Sequence, residues 1–181
     1  MDRSAIPSSL PFSIPRSLEI LGRTPSVLHA LLDGLSDDWT THNEGGESWT
    51  PYDVVGHLLH GEHTDWITRI KKCLSTGDKA FEKFDRTAMF AESKGKALAQ
   101  LLAEFAEARK RNLAELQALG ITEAQLESTG IHPTFGEVKL RQVLAAWAAH
   151  DLGHLVQIGR VMCRQYREAV GPWREFISVL K

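Results

Sequence analysis

His150-Asp151-Leu152-Gly153-His154-Leu155-Val156-Gln157-Ile158 sits inside an apolar stripe whose reading decides the fold. Val143, Trp147, position 150, position 154, Ile158 and Val161 follow one another in steps of three or four residues. Such steps keep one face of an α-helix turned toward a core. Positions 150 and 154 are both histidine. Two imidazoles therefore stand where two hydrophobic side chains are expected, one turn apart, and both rings can reach one point. Zinc and nickel accept imidazole nitrogen, at about 2.0–2.1 Å for zinc. A buried imidazole pair with neither metal nor hydrogen-bond partners is costly. The other reading is that each ring is satisfied separately by a backbone carbonyl or a carboxylate. Trp147, one turn before His150, is placed to wall such a site.

Working outward, the stripe belongs to a fourth helix, from about Leu140 to Ala169, that Gly171-Pro172 ends. Trp173, Phe176, Ile177 and Leu180 follow as a short apolar C-terminal segment. A first helix starts at Thr24-Pro25-Ser26 and ends near Gly34. A second starts at Thr50-Pro51, with Asp53 completing a shortened capping box and Trp49 and Val54 in the places of a hydrophobic staple, and runs to about Leu74. A third, from about Ser93 to Leu119, carries Leu98, Leu101, Leu102, Phe105, Leu113 and Leu116 on one face. Residues 121–138 read as a long turn with a short helix near Glu123–Glu127. Residues 1–15 read as an irregular tail and 16–181 as a single domain with no strand pattern. The fold expected is all-α, a four-helix bundle with long loops, whose sites are built from side chains of facing helices.

A metal held by two histidines needs further ligands, and the second helix offers His57, His60 and His63. His57 lies in Val54-Val55-Gly56-His57-Leu58-Leu59, the most apolar part of that helix, and is the favoured third ligand. Gly61, one turn on, leaves space beside it. His60 is the runner-up. Asp53, one turn before His57, is a candidate outer acceptor for a ligand ring. Asp151 makes His-Asp-x-x-His with the pair. It is a weak candidate for a catalytic base, with an outer-acceptor role and a helix–helix salt bridge as the other readings. Gln157 reads as ordinary helix surface, and His29, His42 and His132 as helix-face or loop residues. Arg86 and Arg109 read as solvated or structural charges, with capture of an anionic substrate as the alternative.

Composition narrows the function. The chain has 181 residues, 43% hydrophobic and 24% charged, with a formal net charge of -2. That balance removes the blanket attraction of a basic domain for nucleic acid. The longest unbroken apolar run, Val143 to Ala149, falls far short of the roughly 20 residues of a membrane span. Pro7, Pro11 and Pro15 interrupt any signal-peptide apolar region. Cys73 and Cys163 are too few for a disulfide framework and fit a reducing, cytoplasmic setting. Both read as inert fillers.

Taken together, Gly46-Glu47-Ser48-Trp49-Thr50-Pro51 with Val54-Val55-Gly56-His57-Leu58, and His150 through Ile158, resemble the two histidine motifs of the DinB/YfiT-like metalloenzymes. Phe84-Asp85-Arg86, Phe105, Arg109, Leu113, His132-Pro133, Gly136, Tyr166 and Ala169 through Trp173 fall in the family's order over residues 20–180. Lys139 departs from it where Ser or Thr is expected to cap the last helix. The resemblance implies a four-helix bundle with a divalent metal, zinc or nickel, held by His57, His150 and His154. It also implies metal-dependent hydrolysis of a small molecule, or S-transfer from a low-molecular-weight thiol such as bacillithiol. The fold alone is equally compatible with a non-catalytic bundle that binds metal or ligand, and with a homodimer.

Overall fold

The computed structural model describes residues 10–181. An unexpected helix, α1, Ile14–Leu21, precedes the first expected helix, which forms in one piece as α2, Thr24–Leu32; the second expected helix comes as two pieces. Ser13 caps α1 by accepting from the Arg16 amide at 3.3 Å, and Pro15 occupies its first turn, so the expected tail is helical from residue 14. Residues 1–9 of that tail lie outside the described residues. A single turn, α3 (Asp37–Thr40), precedes those two pieces, α4 (Pro51–Thr64) and α5 (Trp66–Leu74). The Thr50–Asp53 box forms: Thr50 Oγ1 accepts from the Asp53 amide at 3.0 Å, and Asp53 Oδ2 accepts from the Thr50 amide at 2.9 Å. The expected continuous helix to Leu74 is broken at Asp65, whose backbone (φ -113°, ψ -70°) is distorted well away from regular helix values.

The short α6 (Ala88–Ser93) precedes α7 (Leu98–Ala118). Residues 121–138, expected as a turn, also contain a hairpin: β1, Thr129–His132, pairs antiparallel with β2, Gly136–Lys139, after a single 3-10 turn at Ala124–Glu127. Four-residue strands carry too few alternating positions to register as a pattern. Phe81 and Lys79 extend the pairing through Phe81 N–H to Ile131 O (2.8 Å) and Ile131 N–H to Lys79 O (2.9 Å). Gly130 permits this contact, because a Cβ there would meet the Phe81 ring at 2.3 Å. The last long helix, α8, runs Leu140–Gln165 and stops short of Ala169. The Tyr166 amide bonds to Cys163 O at 3.1 Å, a 3-10 contact that closes the final turn. Lys139 still receives a box partner, its amide donating to Gln142 Oε1 at 2.8 Å. Of the C-terminal apolar residues only Leu180 is buried; Trp173 and Phe176 are exposed.

The four long units, α1–α2, α4–α5, α7 and α8, form the bundle. Their apolar residues fall into two clusters. One gathers Leu21, Trp66, Ile70, Leu116, Leu144 and Trp147. The other gathers Leu28, Val54, Leu58, Leu101, Phe105 and Ile158. On α4, α7 and α8 the segment between the two clusters carries polar groups: His57, His60 and Glu62, then Arg109, then His150, Asp151 and His154. The bundle thus has a polar waist, and no helix in it is long and apolar enough to cross a membrane.

Candidate functional site

The waist divides into a closed half and an open half. In the closed half Arg109 is buried, donating from Nη1 to Asp151 Oδ2 (2.5 Å) and from Nη2 to Asp151 Oδ1 (3.0 Å) and Glu62 Oε1 (2.9 Å). Its Nη1 also reaches Leu21 O at 2.9 Å. Glu62 accepts further from Trp147 Nε1 (3.1 Å) and Asn112 Nδ2 (3.0 Å). Asp151 is therefore a helix–helix ion pair. Both oxygens are committed to a guanidinium, which removes it as a catalytic base and as an acceptor for a ligand ring. The Asp53 carboxylate is likewise held by Thr50, in the cap. Trp147 belongs to this closed half too. It is fully buried and stacks on Trp66 (centroids 5.8 Å, 9° between planes), so Trp66, and not Trp147, walls the open side.

In the open half three imidazoles converge. His150 Nε2 lies 3.0 Å from His57 Nε2 and 3.0 Å from His154 Nε2, and one nitrogen from each ring lies within 4.8 Å of the others. His57 comes from α4, and His150 and His154 from successive turns of α8. A ring nitrogen offers one proton or one lone pair, so His150 Nε2 cannot make two well-directed hydrogen bonds. Three lone pairs meeting at one point satisfy a cation instead, since ligand bonds of about 2.0–2.1 Å put two nitrogens on one ion about 3 Å apart. The donor set therefore fits a divalent metal. Burial favours the neutral, ligating form: it is the main reason the His57 and His150 pKa values fall to about 3, and it lowers that of His154 as well.

The ring orientations have identifiable supports. His154 Nδ1 donates to Gln157 Oε1 at 2.8 Å, which leaves the lone pair on Nε2. Gln157 is thus a partner of the site and not ordinary surface; its place three residues after His154 is the signal that could have found it. His57 Nδ1 and His150 Nδ1 are buried without a protein partner. Trp49 lies against His57 (4.7 Å between centroids) and His154 (6.2 Å), Phe84 against His57 (5.4 Å), and Trp66 against His150 (5.2 Å). His60 stands apart, bonded through Nδ1 to Glu92 Oε2 at 2.9 Å. It does not join the cluster because three residues along a helix, about 300° of turn, leave it roughly 60° off the direction His57 shares with α8 and about 4.5 Å further along the axis.

The three rings form the floor of a cavity of about 920 Å³. Gly61 lines it as expected. Arg86, for which the sequence offered substrate capture as an alternative, also lines it, and so do Asp65, Arg69 and the hairpin residues His132 to Thr134, which the sequence did not single out as pocket residues. Asp65 is half-buried; burial raises its pKa to about 6 although Arg69 Nε lies 2.5 Å away. Arg86 sits on the cavity wall while Arg109 is locked in the closed half, so the two arginines have opposite fates.

Comparison with known proteins follows the same lines. A family model described as the DinB superfamily matches residues 20–158. Among solved structures, YfiT from Bacillus subtilis, titled a probable metal-dependent hydrolase with an unusual four-helix bundle topology, is similar with a TM-score of 0.73 and 22% identity. The match covers 88% of this chain and 91% of that one. No curated protein matches.

Proposed function

This chain belongs to the DinB superfamily, and from that premise we propose that it is a metal-dependent enzyme acting on a small molecule, with His57, His150 and His154 holding a divalent cation, zinc or nickel. The convergence of three neutral Nε2 atoms on the floor of an open cavity carries this reading. Bound there, the cation would supply Lewis acidity to a water or to a low-molecular-weight thiol, the two nucleophiles of hydrolysis and S-transfer. The chain's own residues do the rest. Gln157 fixes the tautomer of His154. Trp49, Phe84 and Trp66 hold the rings and exclude water from their flanks. Asp65, the half-buried carboxyl on the same cavity, is the group suited to take a proton from the nucleophile, since a base works best with a pKa near the working pH.

A second reading, a non-catalytic bundle that binds metal or ligand and pairs with another copy, draws on one observation. Among the described residues no carboxylate accepts from any of the three rings, a support that ligating histidines usually have.

Zinc and nickel titration tests the site. About one equivalent per chain should bind, and His154→Ala should lose it while keeping its helical circular dichroism; uptake below about a tenth of an equivalent by the unaltered protein overturns the reading. Turnover is then sought with a thiol plus an electrophile, and separately with ester and amide substrates. Turnover that His154→Ala abolishes excludes the non-catalytic reading.

A further inference from the structure

The cavity's charges are not balanced locally. Asp65 is paired with Arg69. Asp85 is occupied in capping: its Oδ1 accepts from the Thr87 amide (2.8 Å), the Thr87 hydroxyl (2.7 Å) and the Ala88 amide (3.2 Å). That leaves Lys83 and Arg86, on the loop before α6, as the lining charges that make no ion pair or hydrogen bond among the described residues. Arg86 lines the same cavity as His57 and His150. The three imidazoles are neutral and add no counter-charge. Asp85 keeps its negative charge while capping, so the lining carries Arg69, Lys83 and Arg86 against Asp65 and Asp85, a small positive excess concentrated on the two unpaired side chains.

We propose that the cavity selects an anionic small molecule, whose carboxylate or phosphate is gripped by Arg86 and Lys83 while its apolar part rests between Trp49, Phe84 and Trp66, beside the three-histidine floor. A planar guanidinium matches the two oxygens of either anion, and the ammonium adds a point charge. The aromatic wall accepts the uncharged part of the ligand. Arg86 is exposed at the cavity and has no ion-pair partner among the described residues, which leaves its guanidinium available to a ligand. The proposal deepens the enzymatic reading by naming the substrate's charge, and it assigns Arg86 to binding.

The test is made on metal-free full-length protein, so that its outcome does not depend on the cation. Benzoate and phenyl phosphate are titrated by tryptophan fluorescence and calorimetry, with isosteric, neutral benzamide as the control. At least one of the two anions should bind saturably, about tenfold or more tighter than benzamide, and Arg86→Gln should remove about tenfold of that affinity while Lys83→Gln removes less. Arg167→Gln, exposed and outside this cavity, should leave it unchanged. Zinc affinity measured in parallel should be kept or raised in Arg86→Gln, because a neighbouring positive charge is lost. Equal binding of benzoate and benzamide overturns the proposal, as does anion binding indifferent to Arg86 or no saturable anion binding at all. Loss of zinc binding by the unaltered protein would instead overturn the metal reading.

Discussion

Arg109 of α7 meets Asp151 of α8 through two parallel contacts, Nη1 to Oδ2 at 2.5 Å and Nη2 to Oδ1 at 3.0 Å, with both side chains buried. The same guanidinium reaches Glu62 of α4, so three helices that frame the histidine floor are tied at one point. Two carboxylates and one cation are buried together. Removing the cation leaves two uncompensated charges out of water, which costs more than the pair itself contributes. Arg109→Ala is therefore expected to destabilise the fold by about 3–5 kcal/mol, read as a lower urea midpoint. An unchanged midpoint would show that the carboxylates are not ionised and buried as described.

Gln157 orients His154 from behind, without lining the cavity itself. Replacing it with leucine keeps the helix and removes the acceptor for Nδ1–H. Loss of such a partner typically costs a site about 10–100-fold in metal affinity, with little change in fold. Competition for zinc against a chromophoric chelator measures this; affinity equal to that of the unaltered protein would show that the tautomer is set elsewhere.

Acid should unfold the metal-free protein early. His57 and His150 fall from an unfolded value of 6.5 to about 3 in the fold, so between these values the unfolded chain binds more protons. Their contribution is complete above pH 6.5 and is lost as the pH falls toward 3. Asp65 works the other way: raised from 3.8 to about 6, it favours the fold as the pH drops through that window. Two imidazoles against one carboxyl leave a net loss of roughly 2–3 kcal/mol between pH 7 and pH 5. Urea titrations across that range should show it, and saturating zinc at pH 7 should raise the midpoint further. A flat profile would contradict the burial of the rings.

Much of this was legible in the chain because it rests on local periodicity. The stripe from Val143 to Val161 is buried except at its two histidines, which are half-buried beside the cavity. The Thr50–Asp53 box formed as its spacing requires. Other features were not legible there. The hairpin's two strands are four residues each, too short to show alternation, and the added pairing with residues 79–81 comes from about fifty residues away in the chain. For Asp151 the sequence left a weak catalytic role, an outer-acceptor role and a helix–helix salt bridge open; the step of about 100° from His150 turns it to the closed half of the waist, where the salt bridge to Arg109 forms. Trp147 was displaced from the cavity wall by Trp66, which arrives from another helix.

Helical spacing and capping chemistry, acting within a turn or two, were enough to dictate a bundle and to set two imidazoles on one face. The apolar run around His57 already favoured it as the third ring, but which arginine is entombed and which faces the cavity, and where the polar waist opens, were decided only when helices far apart in the chain packed together. Burial and charge pairing depend on neighbours in space, and the sequence records those neighbours only through the fold.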